Sequence, residues 1–285
     1  MTDNQPSTSP LIVAFVGDLM FTTKIDAVAR HLGYRIEWVE RADDIGEVDA
    51  DAPQETPGEM LHGREGLLFR KITEWQPALL VFDLTNREIP WEKWVPMLKA
   101  SPATRRFPIL CFGPHVDTKV IQRARSLGAD AVMARSRFSA DMPALFEQYA
   151  RVPDEAALLE SCQDPLSPLA LEGIELFNRG EYYRCHDKLE EAWKIDQSAG
   201  RVLYQGILQV GIAYYQIERG NYRGSVKMLL RLRQWLDPLP PVCRGVNVEA
   251  LRADVERVYE ALVALGPEQI EDFDRSLFQP VILVN

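Results

Sequence analysis

Five short apolar runs punctuate the first half of the chain, at residues 11–16, 36–39, 78–84, 107–112 and 131–134. They are rich in β-branched and aromatic residues and lack the strict apolar–polar alternation of a strand with one wet face. Runs of this kind suit strands buried on both faces of a parallel sheet. The stretches between and after them, at 22–32, 65–75, 91–100, 116–127 and 139–149, have helical length and spacing. Strands alternating with helices predict right-handed βαβ units, hence a doubly wound α/β domain with a parallel five-stranded sheet. Ligand sites in such sheets lie at the carboxyl ends of the strands.

Those ends carry the chemistry. The first run ends in Gly17-Asp18, the third in Asp83-Leu84, the fourth in Gly113-Pro114 and the fifth in Arg135-Ser136. On these residues, and on the segment from Ser126 to Arg135, residues 10–150 resemble the receiver domains of response regulators, which implies a flavodoxin-like α/β fold with a parallel five-stranded sheet. The resemblance puts Asp83 at the phosphoacceptor position and makes Asp18 part of an acidic pair that would hold magnesium. Gly113 and Arg135 would complete the receiver pocket.

The chain departs from that family at three points. Gly113 stands where a Thr or Ser is usual, Arg135 stands where a Lys is usual, and the first loop offers one clear carboxylate. Magnesium prefers several oxygen ligands in near-octahedral order, and phosphoryl transfer depends on the metal and on positioned cations. The departures therefore imply a degenerate, or pseudo-, receiver with no cofactor. The rival expectation is magnesium at Asp18 and Asp83, with phosphorylation of Asp83.

Residues 43–63 are acidic and contain Pro53, Pro57, Gly58 and Gly63, which reads as a flexible surface insertion. His62 and His115 fall in predicted loops with no second ligand at metal-like spacing. Residues 151–167, with Pro153 and Pro165, form the predicted linker, with a short helix over 154–162. Helices are then expected at 169–178, 181–196, 201–219, 221–236 and 247–265, with short turns between them. They predict an all-α helical bundle over 168–266, followed by a tail at 267–285 and no strand before the last residues. Arg179-Gly180-Glu181-Tyr182 is echoed forty residues later by Arg219-Gly220-Asn221-Tyr222. Each copy joins two helices, in the manner of tetratricopeptide-type pairs, but two copies are too few for a solenoid.

The densest unusual chemistry lies in residues 177–193. Helical spacing places Tyr182, Cys185, His186, Leu189, Ala192 and Trp193 on one face, with Glu190 one turn beyond His186. The third helix of the bundle carries Gln205 and Gln209 on one strip, and Gly206 and Gly211 permit close helix approach. Antiparallel packing would let His186, Glu190, Gln205 and Gln209 converge. Residues 168–262 resemble the domain-of-unknown-function family numbered 309. The match rests on Phe177-Asn178, Gly180-Glu181-Tyr182, His186-Asp187, Glu190-Glu191, Trp193, Gln205-Gly206, Gln209, Arg219-Gly220-Asn221 and Gly224. Asp187 replaces a usual Glu, and Tyr215-Gln216 stands where the family often has a histidine, which counts against a metal site. Three readings stay open for the cluster: a satisfied core histidine, a small-ligand or metal site, and an acid–base pair. Four good ligands are not present, so structural zinc is not expected. Cys185 lies about 100° around the helix from His186, so no nucleophile is paired with it.

Charge and composition narrow the function. The formal net charge is -10 and acids outnumber bases in both halves, which is not the footprint of a DNA-binding output domain. A local basic patch on Arg223, Lys227, Arg231 and Arg233 stands against that background. No apolar run approaches the roughly 20 residues that span a bilayer, and the polar start has no signal-peptide core. Cys111, Cys162, Cys185 and Cys243 are scattered, which reads as reduced cytosolic thiols. The expectation is a cytoplasmic, bacterial regulatory or scaffolding protein acting through other proteins or a homo-oligomer, without nucleic acid or membrane. The rival is an enzyme or ligand-binding protein seated at His186, Glu190, Gln205 and Gln209; a phosphorelay regulator using Asp83 comes third.

Overall fold

The computed structural model describes residues 9–47, 63–115 and 118–284. The chain divides between Val152 and Pro153 into two units. His62 and most of the acidic 43–63 stretch lie outside the described residues.

The first unit runs β1 (Leu11–Phe15), α1 (Leu19–His31), β2 (Arg35–Trp38), α2 (Gly63–Trp75), β3 (Leu79–Asp83), α3 (Trp91–Ala100), β4 (Ile109–Gly113), α4 (Thr118–Ser126), β5 (Ala131–Ala134) and α5 (Arg135–Tyr149). The five strands form one parallel sheet in the order β2-β1-β3-β4-β5. The sheet is flavodoxin-like and receiver-like, and its five parallel strands are the five apolar runs of the sequence.

The β1, β3 and β4 strands are buried at every position. Alternate side chains therefore feed two separate cores. Val13, Phe15, Leu80 and Phe82 pack with Leu68 and Ile72 of α2 and Trp94 of α3. Ile12, Ala14, Val81 and Phe112 pack with Phe21 and Ile25 of α1 and Phe138 and Phe146 of α5. Phe112 stacks on Phe138 at 4.2 Å and Phe15 on Phe82 at 4.2 Å. Each aromatic so buried contributes roughly 1.5–3 kcal/mol of hydrophobic stabilisation. Edge strand β2 alternates exposed and half-buried residues, as a strand with one open side does.

One boundary differs from the sequence expectation in a way that matters for the site. Helix α5 begins at Arg135, four residues before the predicted 139, directly after β5 and with Ala134 as its N-cap. With no intervening loop, Arg135 is held in the first helical turn at the carboxyl edge of the sheet.

The second unit is mostly helical: α6 (Glu155–Ser161), α7 (Pro168–Asn178), α8 (Tyr182–Ile195), α9 (Val202–Glu218), α10 (Tyr222–Leu236), a hairpin of β6 (Val242–Cys243) and β7 (Val246–Asn247), and α11 (Val248–Leu265). The sequence echo has a structural counterpart. Gly180 and Gly220 both take left-handed backbone, at φ of +78° and +68°. Gly180 N–H donates to Phe177 O and Glu181 N–H to Leu176 O, and Gly220 and Asn221 repeat the pattern on Ile217 and Gln216. This is a Schellman ending, which needs a residue free of Cβ strain just past the helix. It reverses the chain tightly enough to make α7–α8 and α9–α10 antiparallel pairs.

Two expectations are corrected here. A strand pair does precede the last residues: the β6–β7 hairpin turns on Arg244 and Gly245, both at positive φ. Its strands are too short to leave a periodic trace. Cys162 and Cys243 are not free thiols but a disulfide, joining residues 81 apart with Cα atoms 4.4 Å from each other. Cys111 and Cys185 are free and buried. The last residues return to the bundle, where Asn178 exchanges two hydrogen bonds with the backbone of Val281 and Phe278 stacks on Tyr214 at 4.2 Å. Among the described residues no helix is long and apolar enough to cross a membrane.

Candidate functional site

The carboxyl edge of the sheet in the first unit gathers all four sequence-predicted pocket residues. Asp83 ends β3 and is 2% exposed. Its Oδ1 accepts from the Thr85 backbone N–H at 2.9 Å and the Thr85 hydroxyl at 2.8 Å. Its Oδ2 accepts from Arg135 Nη2 at 2.6 Å. The same nitrogen donates to Thr85 Oγ1 at 2.5 Å, closing a three-residue ring. Arg135 Nη1 faces Asp18 Oδ2 at 3.6 Å, and the guanidinium lies 5.1 Å from the centre of the Phe21 ring. Asp18 in turn caps α1, accepting from Met20 N–H at 3.0 Å.

Gly113 ends the neighbouring strand β4. A Cβ there would stand 3.3 Å from Leu84 Cβ, so the absence of a side chain lets β3 and β4 finish in close contact. The edge opens into a cleft of about 580 Å³, bordered also by Glu40, Arg41, Asn86, Arg87 and Glu88. The charges at its rim are mixed.

The residues present do not fit magnesium. A hard divalent cation needs free carboxylate oxygens and retained water in octahedral order. Here both oxygens of Asp83 are committed to protein donors, and Asp18 Oδ1 is used as a helix cap. The guanidinium already lies between the two carboxylates. Arginine suits that place because its planar fork can meet two acceptors at once. Sequence reasoning missed Thr85, although a hydroxyl two residues past a buried carboxylate is a common local turn partner.

The polar cluster of the second unit is only partly assembled. Packing is antiparallel as expected: Tyr183 meets Tyr215 at 5.2 Å and the Arg201 guanidinium lies 5.3 Å from the Trp193 ring. Yet His186 Nδ1 pairs with the neighbouring Asp187 at 3.3 Å, with a third of its side chain exposed. Glu190 pairs with Lys194 at 3.1 Å. Neither is hydrogen-bonded to the glutamines among the described residues. Gln205 and Gln209 each bury a side-chain Oε1 with no hydrogen-bond partner among those residues. An unmet buried acceptor costs about 1–3 kcal/mol. Cys185 donates to Tyr182 O at 3.0 Å, and burial pushes its thiol up to about 12, so it supplies no thiolate at neutral pH. Among the described residues no group of three or more His, Cys, Asp or Glu is placed to hold a metal.

A second buried charge went unnoticed in the sequence. Arg244, in the hairpin turn at φ +54°, has a 4% exposed side chain. It donates to Ser161 O at 3.2 Å, Asp196 Oδ2 at 2.6 Å, Ser198 Oγ at 2.7 Å and the Tyr204 hydroxyl. A Cβ on Gly200 would stand 3.0 Å from this guanidinium. Burial alone would raise the Asp196 carboxyl. The Ser198 N–H and hydroxyl, with Arg244, outweigh it and hold that carboxyl below its usual range.

Residues 170–228 match the family described as Domain of unknown function (DUF309). An uncharacterised protein of Aquifex aeolicus strain VF5 is 28% identical over 83 residues, which are 29% of this chain and 25% of that protein. The chain thus spans about a quarter of the length of that curated relative. Among solved structures, neighbours of the N-terminal half include receiver domains. The receiver domain of a response regulator from Rhodospirillum rubrum is 20% identical, covers 50% of this chain and 97% of that one, and has a TM-score of 0.37. The receiver domain of a sensor histidine kinase from Pseudomonas aeruginosa is 14% identical with the same coverage and a TM-score of 0.37.

Proposed function

We propose that this chain is a regulatory or scaffolding protein whose receiver-like half works without phosphoryl transfer and docks other proteins, while the helical unit, which contains the DUF309-matching residues 170–228, provides a second contact module. One observation carries the reading: the Arg135 guanidinium, bonded to Asp83 and facing Asp18, takes the place a divalent cation would need. Phosphoryl transfer to a carboxylate needs a free attacking oxygen and a cation positioned on the incoming phosphoryl oxygens. Asp83 offers no free oxygen, because Oδ2 is capped by Arg135 and Oδ1 by Thr85, and the Arg135 guanidinium beside it is already engaged with that carboxylate. The surface of a fixed unit is then what remains for function.

Incubation with magnesium and acetyl phosphate, followed by intact mass measurement, tests this. The expected result is an unmodified mass. A substantial phosphate adduct that disappears in Asp83→Asn would overturn the reading and restore a phosphorelay role.

A further inference from the structure

The last residues of the second unit form an edge strand with one side open. Leu283 bridges Val246 of β7 in antiparallel sense. The bonds of that bridge run from Asn247 N–H to Ile282 O at 2.9 Å and from Val284 N–H to Gly245 O at 2.7 Å. Val246 and Leu283 are therefore a non-hydrogen-bonded pair, and the N–H and C=O of Leu283 point away from β7. Residues two apart in an extended chain face the same way, so Val281 presents its own N–H and C=O on that outer side. There Asn178 of α7 meets them: its Oδ1 accepts from Val281 N–H at 2.7 Å and its Nδ2 donates to Val281 O at 3.0 Å. The carboxamide stands in for one peptide group of a neighbouring strand. Two residues further on, the outward N–H and C=O of Leu283 have no hydrogen-bond partner among the described residues.

A cleft of about 450 Å³ adjoins this edge, lined by Leu283 and Val284, by Leu171 of α7 and by Pro165 and Leu166 of the segment that leads into that helix. Asn178 puts α7 on the outer side of the strand, so the cleft runs between strand edge and helix. Leu171 is 38% and Leu283 49% exposed, an unusual degree for leucines that share a concave surface. The charged residues of the lining, Asp164 and Arg244, pair with each other at 3.9 Å, and the others, Gln163 and Gly245 among them, are neutral.

We infer that this cleft binds an extended, uncharged, apolar segment of a partner protein as an added strand beside Leu283. An open strand edge holds a further strand through main-chain bonds, and the walls beside it select the side chains. The segment exchanges with Leu283 the two hydrogen bonds that Asn178 exchanges with Val281, which requires an extended backbone. The leucines favour apolar side chains, and the Asp164–Arg244 pair leaves no unmatched partner for a charged one. The last residues of a second copy are the poorer occupant. Their strand is held by β7 on one edge and by Asn178 on the other, so it is not free to enter a cleft flanked on both sides. As the docking surface of the second contact module, the cleft rests on that part of the proposed function. The mass measurement at Asp83 does not involve it, so the two readings fail separately.

The test uses the full-length chain. Random octapeptides are selected on it by display, and the strongest binder is made with a fluorescent label for anisotropy. Apolar, β-branched sequences are expected to be enriched, with charge and proline depleted. Methylating the peptide's backbone nitrogens one at a time should weaken binding by about tenfold or more at the amide that faces Leu283, with its sequence neighbours far less affected. Leu283→Pro removes the outward N–H yet keeps both bonds to β7, which use Ile282 O and Val284 N–H; Leu171→Glu puts a charge on the opposite wall. Each is expected to weaken binding by about tenfold or more, with helical content and thermal midpoint retained. Leu171→Glu changes an exposed side chain, so it stays folded even if the proline variant does not. Enrichment of charged sequences, indifference to methylation at every position, or unchanged affinity in both variants would each overturn the inference. So would self-association of the free chain that Leu283→Pro abolishes, which would assign the edge to a second copy.

Discussion

Arg135 Nη2 stands 2.6 Å from Asp83 Oδ2, although the two residues are 52 apart in the chain and only Asp83 is fully buried. Removing one partner of such a pair strands the other's charge. Arg135→Ala should therefore destabilise the first unit by about 3 kcal/mol, the low end for buried pairs because a third of Arg135 meets solvent. Asp83→Asn in the same background should recover part of the loss, since the remaining group is then neutral. Urea unfolding followed by tryptophan fluorescence measures both, with buried Trp94 as reporter. An unchanged midpoint in Arg135→Ala would show that the pair contributes nothing.

Gly211→Ala sets two effects against each other. Alanine is the better helix former by about 1 kcal/mol. Its Cβ, however, would lie 2.8 Å from Cys185 Sγ and 3.4 Å from Tyr182 O. Overpacking of this kind costs about 1–3 kcal/mol. The net expectation is destabilisation of about 1 kcal/mol, relieved when Cys185→Ala is added. A single variant more stable than wild type would mean that α8 gives way freely.

His186→Ala is expected to be nearly silent for stability, within about 0.5 kcal/mol. The imidazole is a third exposed and its polar contact is an exposed neighbour, Asp187. A loss above about 2 kcal/mol in thermal unfolding would mean that His186 anchors a buried network after all.

Reduction of the Cys162–Cys243 disulfide should lower the thermal midpoint of the helical unit. A closed loop of this length restricts the unfolded chain by about 4 kcal/mol on the entropic account, with typical measured effects of about 2–4 kcal/mol. Circular dichroism with and without reductant, alongside a Cys162→Ser/Cys243→Ser variant, reads the effect. Identical midpoints in all three samples would exclude it.

Asp196 fixes the sign of one pH dependence. Its folded carboxyl titrates below its usual range, held by Ser198 and Arg244. The folded state therefore binds fewer protons than the unfolded state between the two pKa values. The stabilisation is fully present above about pH 4, the unfolded value, and is lost as pH falls through the folded one. Asp196→Asn should be less stable than wild type at neutral pH, and the gap should close in acid. Denaturant midpoints between pH 2 and 7 would contradict this if the gap stayed constant.

The parallel sheet was legible because every strand inside it is apolar on both faces, and that leaves an unbroken run in the sequence. The helix pairs were legible through Gly180 and Gly220, which only a left-handed ending demands. The pairing of Arg135 with Asp83 was not, since nothing local tells an arginine at a strand end where its guanidinium will reach; that depends on α5 starting without a loop. The Cys162–Cys243 bond and the Arg244 contacts join segments tens of residues apart through a hairpin too short to show periodicity. The convergence expected of His186, Glu190, Gln205 and Gln209 followed from antiparallel packing, but side chains with nearer partners took them, as Asp187 and Lys194 did.

A magnesium ion reaches its carboxylates by mass action, so its occupancy follows the free concentration and vanishes under chelation. Arg135 is joined to its pocket by the backbone of α5, and its local concentration is a constant of the fold. Withdrawing divalent ions from the medium cannot empty that place. On the proposed reading, the surface around Asp83 then has no clock: it would carry no label that forms, decays and must be renewed, and a partner docking there would read a permanent shape.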